Sequence, residues 1–185
     1  MGEKVDKRKA WERIILDEEL KLKLEEINND IKACHIPTWE ELPTFELYMD
    51  QVIGLLNKYL VILRDSENEN EAITKNMINN YVKMKIVPAP IKKKYSREHI
   101  AYLVLVCMLK QVFSISMIKR ILRCDESTED ISRRYNNFVS NIYEATEFDL
   151  EKYSNVNTDD AENCVIKLSA EAIILKTMAE KIINR

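Results

Sequence analysis

The chain is 185 residues long with 46% apolar side chains, enough for one domain with a real core or for two small ones. Two glycines and four prolines stand among abundant Leu, Ile, Glu, Lys and Asn, so a mainly α protein is expected, and folds that cradle phosphates on glycine-rich loops are hard to build from it. The net charge of −3 conceals a partition: residues 72–124 hold eleven Lys and Arg against the single acid Glu98, a local +10, while the rest of the chain sums to −13.

Residues 4–33 are charged throughout, unlike a secretory leader. They place Trp11, Ile15, Leu20, Leu24, Ile27 and Ile31 at roughly helical spacing, so residues 1–36 are read as an N-terminal region built on one long amphipathic helix. Pro37 and Pro43 break it. A second helix is expected over about 47–63, with Tyr48, Val52, Leu55, Leu56, Tyr59 and Leu63 on one stripe. The acidic run DSENENE at 65–71 is expected to be a loop. Thr74 is placed to cap a helix over 75–84 whose inner side takes Met77, Ile78, Tyr81 and Val82. Pro88 and Pro90 end that helix and open an extended stretch through Lys92, Lys93, Lys94 and Tyr95.

Ser96 caps the next helix, reaching about Val112, which is apolar on so many sides that it should be central. Its run Ile100–Leu109 is about half of a bilayer span, so a cytoplasmic protein with no membrane segment is expected. Ser114 caps a short helix with Ile115, Ile118, Ile121 and Leu122 inward. Beyond Asp125 the composition turns acidic and Asn-rich, and helices are expected over about 128–145 and 158–184 within a C-terminal region 125–185. In the last helix Ala161, Val165, Leu168, Ala172, Leu175, Ala179 and Ile182 alternate at spacings of four and three, a heptad seam that Ile166, Ile173 and Ile174 widen. Two readings of the seam stand side by side. It packs on its own chain, most simply on the N-terminal helix, or it forms a homodimer through Val165, Leu168, Ala172, Leu175 and Ile182.

Cys34, Cys107, Cys124 and Cys164 form no CxxC pair, and with His35 and His99 they make a poor ligand set. No metal site and no cofactor are therefore expected. Cys107 reads as a small core residue, and Cys34 beside His35 as structural rather than as half of a metal or redox site. Neither histidine neighbours a nucleophile and the acids follow no catalytic signature, so no catalytic residue and no enzyme are expected.

The chemistry lies in the basic segment. Lys75, Asn76, Asn79, Asn80 and Lys83 share one outer helical face at spacings of three and four. Asn pairs bidentately with the adenine edge in the major groove, and Lys reaches guanine or phosphate. Lys92, Lys93 and Lys94 are positioned to meet the backbone or the minor groove, with Arg97 a further candidate contact, while Tyr95 reads as a core anchor whose hydroxyl could reach a phosphate. Double-stranded DNA is the expected partner. The competing readings are an unliganded solvated face, an acidic protein met through Ile91 and its apolar neighbours, and RNA, for which exposed stacking aromatics are scarce.

The order helix, short helix, basic extended hairpin, helix, short helix resembles a winged helix-turn-helix of the MerR type. The resemblance covers Thr74 to Leu122 and rests on MINNYVKMKIVP from Met77, KKKYSREHI from Lys92 and FSISMIKRIL from Phe113. It departs from the MerR pattern at Asn79-Asn80, where that family carries Arg-Tyr, and at Pro90-Ile91, where Gly and Arg are usual. The run Pro37–Leu122 is also similar to an uncharacterised bacterial domain-of-unknown-function family. The motifs that carry this likeness stand at Leu42–Gln51 (LPTFELYMDQ), Thr74–Lys83 (TKNMINNYVK) and Lys93–Ser96 (KKYS). These resemblances imply a winged helix-turn-helix core over 37–124 with a small β wing, helical extensions at both ends, and a role in transcriptional regulation.

Overall fold

The computed structural model describes residues 7–33, 35–63, 73–122, 127–146 and 161–184. It is mainly helical. In chain order stand α1 (Lys7–Lys32), β1 (Leu47–Tyr48), α2 (Met49–Tyr59), a 3-10 turn at Val61–Leu63, α3 (Lys75–Lys83), β2 (Lys94–Tyr95), α4 (Arg97–Leu109), α5 (Ile115–Ile121), α6 (Thr128–Thr146) and α7 (Ala161–Ile183). The 65–71 loop, Cys34, Cys124 and residues 158–160 of the expected last helix lie outside the described residues. The expected start of the second helix needs correction, because Leu47 and Tyr48 are strand. They pair antiparallel with Tyr95 and Lys94, and helix begins only where the Gln51 Oε1 accepts the Tyr48 N–H at 2.9 Å.

Two compact units divide the chain. One comprises Cys34–Thr146 with Ile183–Arg185, the other Met1–Ala33 with Glu147–Ile182. The first is organised on α4, in which every residue from His99 to Cys107 is buried. Such a helix needs cover on all sides. α2 supplies one side through Val52 and Leu56, and α6 another through Ile131, Tyr135 and Val139. α6 therefore packs within this unit, whereas the expected boundary stood at Cys124.

Polar ties fix the segment before β1 onto α6. The Tyr135 hydroxyl donates to the Pro37 carbonyl at 2.8 Å, and the Trp39 N–H donates to Asn136 Oδ1 at 2.8 Å. The Trp39 ring meets Tyr135 edge-on at 6.5 Å. Burial holds the Tyr135 hydroxyl protonated well above its ordinary range.

In the second unit no described side chain of α1 or α7 is fully buried. On α1 the half-covered positions Leu20, Leu24, Asn28 and Ile31 form a stripe, whereas Ile27, expected on it, is exposed, and the side chains of Trp11 and Ile15 lie outside those described. Among the described residues no helix is long and apolar enough to cross a membrane.

Candidate nucleic-acid interface

Short local signals build α3. The Thr74 side chain accepts the Met77 N–H at 3.4 Å at the start. A buried pair anchors the approach: Asn57 on α2 donates to the Ile73 carbonyl at 3.1 Å and accepts the Ile73 N–H at 3.0 Å, which copies a strand-to-strand pairing with one side chain. At the far end the Ile86 N–H reaches the Tyr81 carbonyl at 3.0 Å and the Lys85 N–H the Val82 carbonyl at 2.9 Å. That is a Schellman termination, with buried Tyr81 and Ile86 closing it. Ile78 and Tyr81 face the core, with Met77 and Val82 half-covered beside them. Lys75, Asn76, Asn79, Asn80 and Lys83 are all exposed, so the outer face read from the sequence is the solvent face of α3.

Ile91 and Lys94 close a tight turn by two hydrogen bonds, 3.1 Å from the Ile91 N–H and 2.9 Å from the Lys94 N–H. Its two central residues, Lys92 and Lys93, are exposed and have φ of 50 and 65°. Two left-handed residues in succession are the pattern of a type I′ hairpin turn, in which Asn-Gly is the favoured pair. Lys85, at the Schellman position usually held by Gly, has φ 55°. Thus three lysines of the basic segment occupy backbone that favours glycine, at about 1 kcal/mol or more each.

The remaining candidates divide between rim and scaffold. Lys94 is half-buried, 3.5 Å from Glu46 and 5.7 Å from the Tyr48 ring centre. Tyr95 is only 3% exposed and packs edge-on against His99 at 5.6 Å, so it supports the turn from inside and is not available to a surface ligand. Arg97 donates to the Leu42 carbonyl at 3.0 Å, and its guanidinium lies 5.5 Å from the Trp39 ring. These contacts tie Arg97 to the 39–43 segment.

His99 fixes the base of the turn. Its Nδ1 accepts the Ser96 N–H at 3.1 Å, so the other nitrogen carries the proton and Nε2–H donates to the Ala89 carbonyl at 3.2 Å. The Ser96 hydroxyl is then left to donate to Glu98 at 2.5 Å. Burial pushes the Glu98 carboxyl up, but hydrogen bonds from Ser96, its own backbone amide and Thr128 outweigh it and hold the group below the usual 4.5. The one acid of the basic segment is thereby occupied in linking α4 to α6.

Sequence reasoning missed Asn57 and the role of His99 at the base of the turn, since single polar residues carry no periodic signal. It also missed a second basic surface, an open cleft of about 750 Å³ between α5 and α6. Arg120, Arg133, Arg134, Asn137 and Phe138 line it. Neighbouring acids cancel Arg133 and Arg134 in a sum along the chain, and Arg133 is itself paired with Asp130 at 2.6 Å. Arg120 donates to the Ile183 carbonyl at 2.7 Å. Burial raises the Cys107 thiol to about 12, which makes it a core residue and not a nucleophile. Among the described residues no group of three His, Cys, Asp or Glu is placed to hold a metal ion.

No curated protein and no solved structure matches the chain. One family does, over residues 37–145, a span that contains the three motifs from Leu42, Thr74 and Lys93 and runs through almost all of α6. The chain belongs to that family, which is described as a domain of unknown function, DUF1836.

Proposed function

We propose that this protein is a sequence-specific DNA-binding transcriptional regulator built on a MerR-like winged helix-turn-helix. In this reading α3 enters the major groove. Asn76, Asn79 and Asn80 read base edges, and Lys75 and Lys83 flank them at guanine or phosphate. The turn at Lys92-Lys93 is the tip of the wing and takes the backbone, with Lys94 at its base. The order α2, α3, hairpin turn, α4, α5 supports the winged helix-turn-helix assignment. A homodimer would present two such units to a two-fold site.

The observation that carries the reading is the placement of lysines in left-handed backbone. Among the described residues nothing in the fold calls for a charge at Lys92 or Lys93, whereas Gly or Asn would relieve the strain. A positive charge kept at a structural cost points to a polyanion as its use. The exposed α3 face adds two further lysines and three asparagines without an acid among them.

Mobility shift on duplex DNA tests it. With about six phosphates neutralised, affinity should fall about 10³-fold between 50 and 200 mM salt. Lys75→Ala and Lys83→Ala should each lower the salt slope by about 1 without changing sequence preference, whereas Asn79→Ala with Asn80→Ala should relax the preference by about 1–3 kcal/mol. Absence of binding at low salt, or binding indifferent to salt, removes the proposal.

A second reading is a protein-interaction adaptor, favoured by the 67% exposure of Ile91 at the base of the basic turn. Ile91→Ser would then abolish partner capture while leaving DNA binding, if any, unchanged.

A further inference from the structure

In the unit made of residues 1–33 and 147–182, no described side chain is fully buried. Every fully buried apolar residue among those described belongs to residues 36–139. A helix that lacks tertiary packing is marginal in water, yet α7 runs for 23 residues. Its apolar side chains meet solvent: Val165, Leu175 and Ile182 are 62%, 67% and 66% exposed, and Leu168 lies between them. An exposed apolar stripe of this length marks an interaction surface. On α1, Asn28 Oδ1 is buried with no hydrogen-bond partner among the described residues.

The pattern on α7 selects the partner. Val165, Ala172 and Ala179 alternate with Leu168, Leu175 and Ile182 as the two core positions of a heptad, and the alanines allow close helix approach. Glu171 and Lys176 flank this seam on opposite sides, five residues apart. In a parallel, in-register pair the residue before one core position faces the residue five further on in the other helix. Glu171 of each chain then meets Lys176 of the other, twice by symmetry. In an antiparallel pair, or against an unrelated helix, that complementarity has no counterpart. Lys176 stands 3.9 Å from Glu180 on its own helix, an exposed contact too weak to hold it from a partner.

We infer that α7 is a self-recognition helix, which pairs in parallel with α7 of a second copy of this chain through the Val165–Ile182 seam and reciprocal Glu171–Lys176 ion pairs. The inference is independent of DNA binding and is read without DNA.

Sedimentation of the full chain at micromolar concentration is expected to give a dimer. Glu171→Lys and Lys176→Glu, each alone, set like charges opposite one another and should weaken self-association about fivefold. An equimolar mixture of the two variants should recover wild-type affinity as a heterodimer, because each new charge then finds its opposite. Leu175→Glu should give a monomer in which the 34–146 unit keeps its cooperative unfolding. A wild-type monomer at tens of micromolar overturns the inference. So does a mixture no tighter than the single variants, which would place the contact in another orientation or on another partner. Both charge variants sit on an exposed helix surface, so misfolding does not obscure the result.

Discussion

At Lys92 and Lys93 the side chain and the backbone disagree, because a long charged residue sits where Asn-Gly would fit without strain. The double change Lys92→Asn with Lys93→Gly should therefore raise stability by about 1–2 kcal/mol in urea unfolding. It should also lower the salt slope of the proposed DNA binding by roughly 2. A gain in stability with unchanged binding would remove the turn from the interface. Asn57 presents the opposite balance. It satisfies both backbone groups of buried Ile73, so Asn57→Ala leaves a donor and an acceptor without partners and should cost about 2–3 kcal/mol. Loss of less than about 0.5 kcal/mol on urea unfolding would show that water replaces the pair. Neither role is visible from residue type: Asn57 looks like any polar residue on a helix, and Lys92 like any exposed lysine.

Among the elements, α3 and α4 were the most legible. Their capping residues Thr74 and Ser96 and their apolar spacing place both starts where the structure has them. A helix start is a local event, set by one side chain and the next turn of backbone. The strand at Leu47–Tyr48 was not legible, because two residues carry no period and their pairing partner lies at 94–95. α2 carries an exposed glycine in its interior, and a Cβ added at Gly54 meets nothing within 4 Å. Gly54→Ala should stabilise the protein by about 0.5–1 kcal/mol through the unfolded chain, raising the thermal midpoint by a few degrees. A fall in midpoint would mean that α2 faces something at that position in the assembled protein.

On the scale of the molecule, charge and core are divided differently. The +10 segment spans α3, the turn, α4 and α5, all within the 34–146 unit, while α1 and α7 hold apolar side chains in solvent. That division assigns the proposed DNA contact to the unit that holds the buried core, and the proposed self-association to the one in which no described side chain is fully buried. The two functions can then be lost separately, Lys75 and Lys83 through salt dependence and Glu171 and Lys176 through sedimentation.

By itself the sequence determined the helical class, most helix limits, the family motifs and the candidate outer face of α3, because propensity, caps and 3.6-residue periodicity act over a few residues. Tertiary structure alone decided which of the basic-segment residues are accessible. Tyr95 and Arg97 turn inward to β1, α4 and the 39–43 segment, while Lys92 and Lys93 are held outward by a turn closed between Ile91 and Lys94. It also decided that α6 completes the core around α4 and that Val165, Leu175 and Ile182 of α7 are exposed. Accessibility depends on contacts between residues far apart in sequence, and no local pattern encodes them.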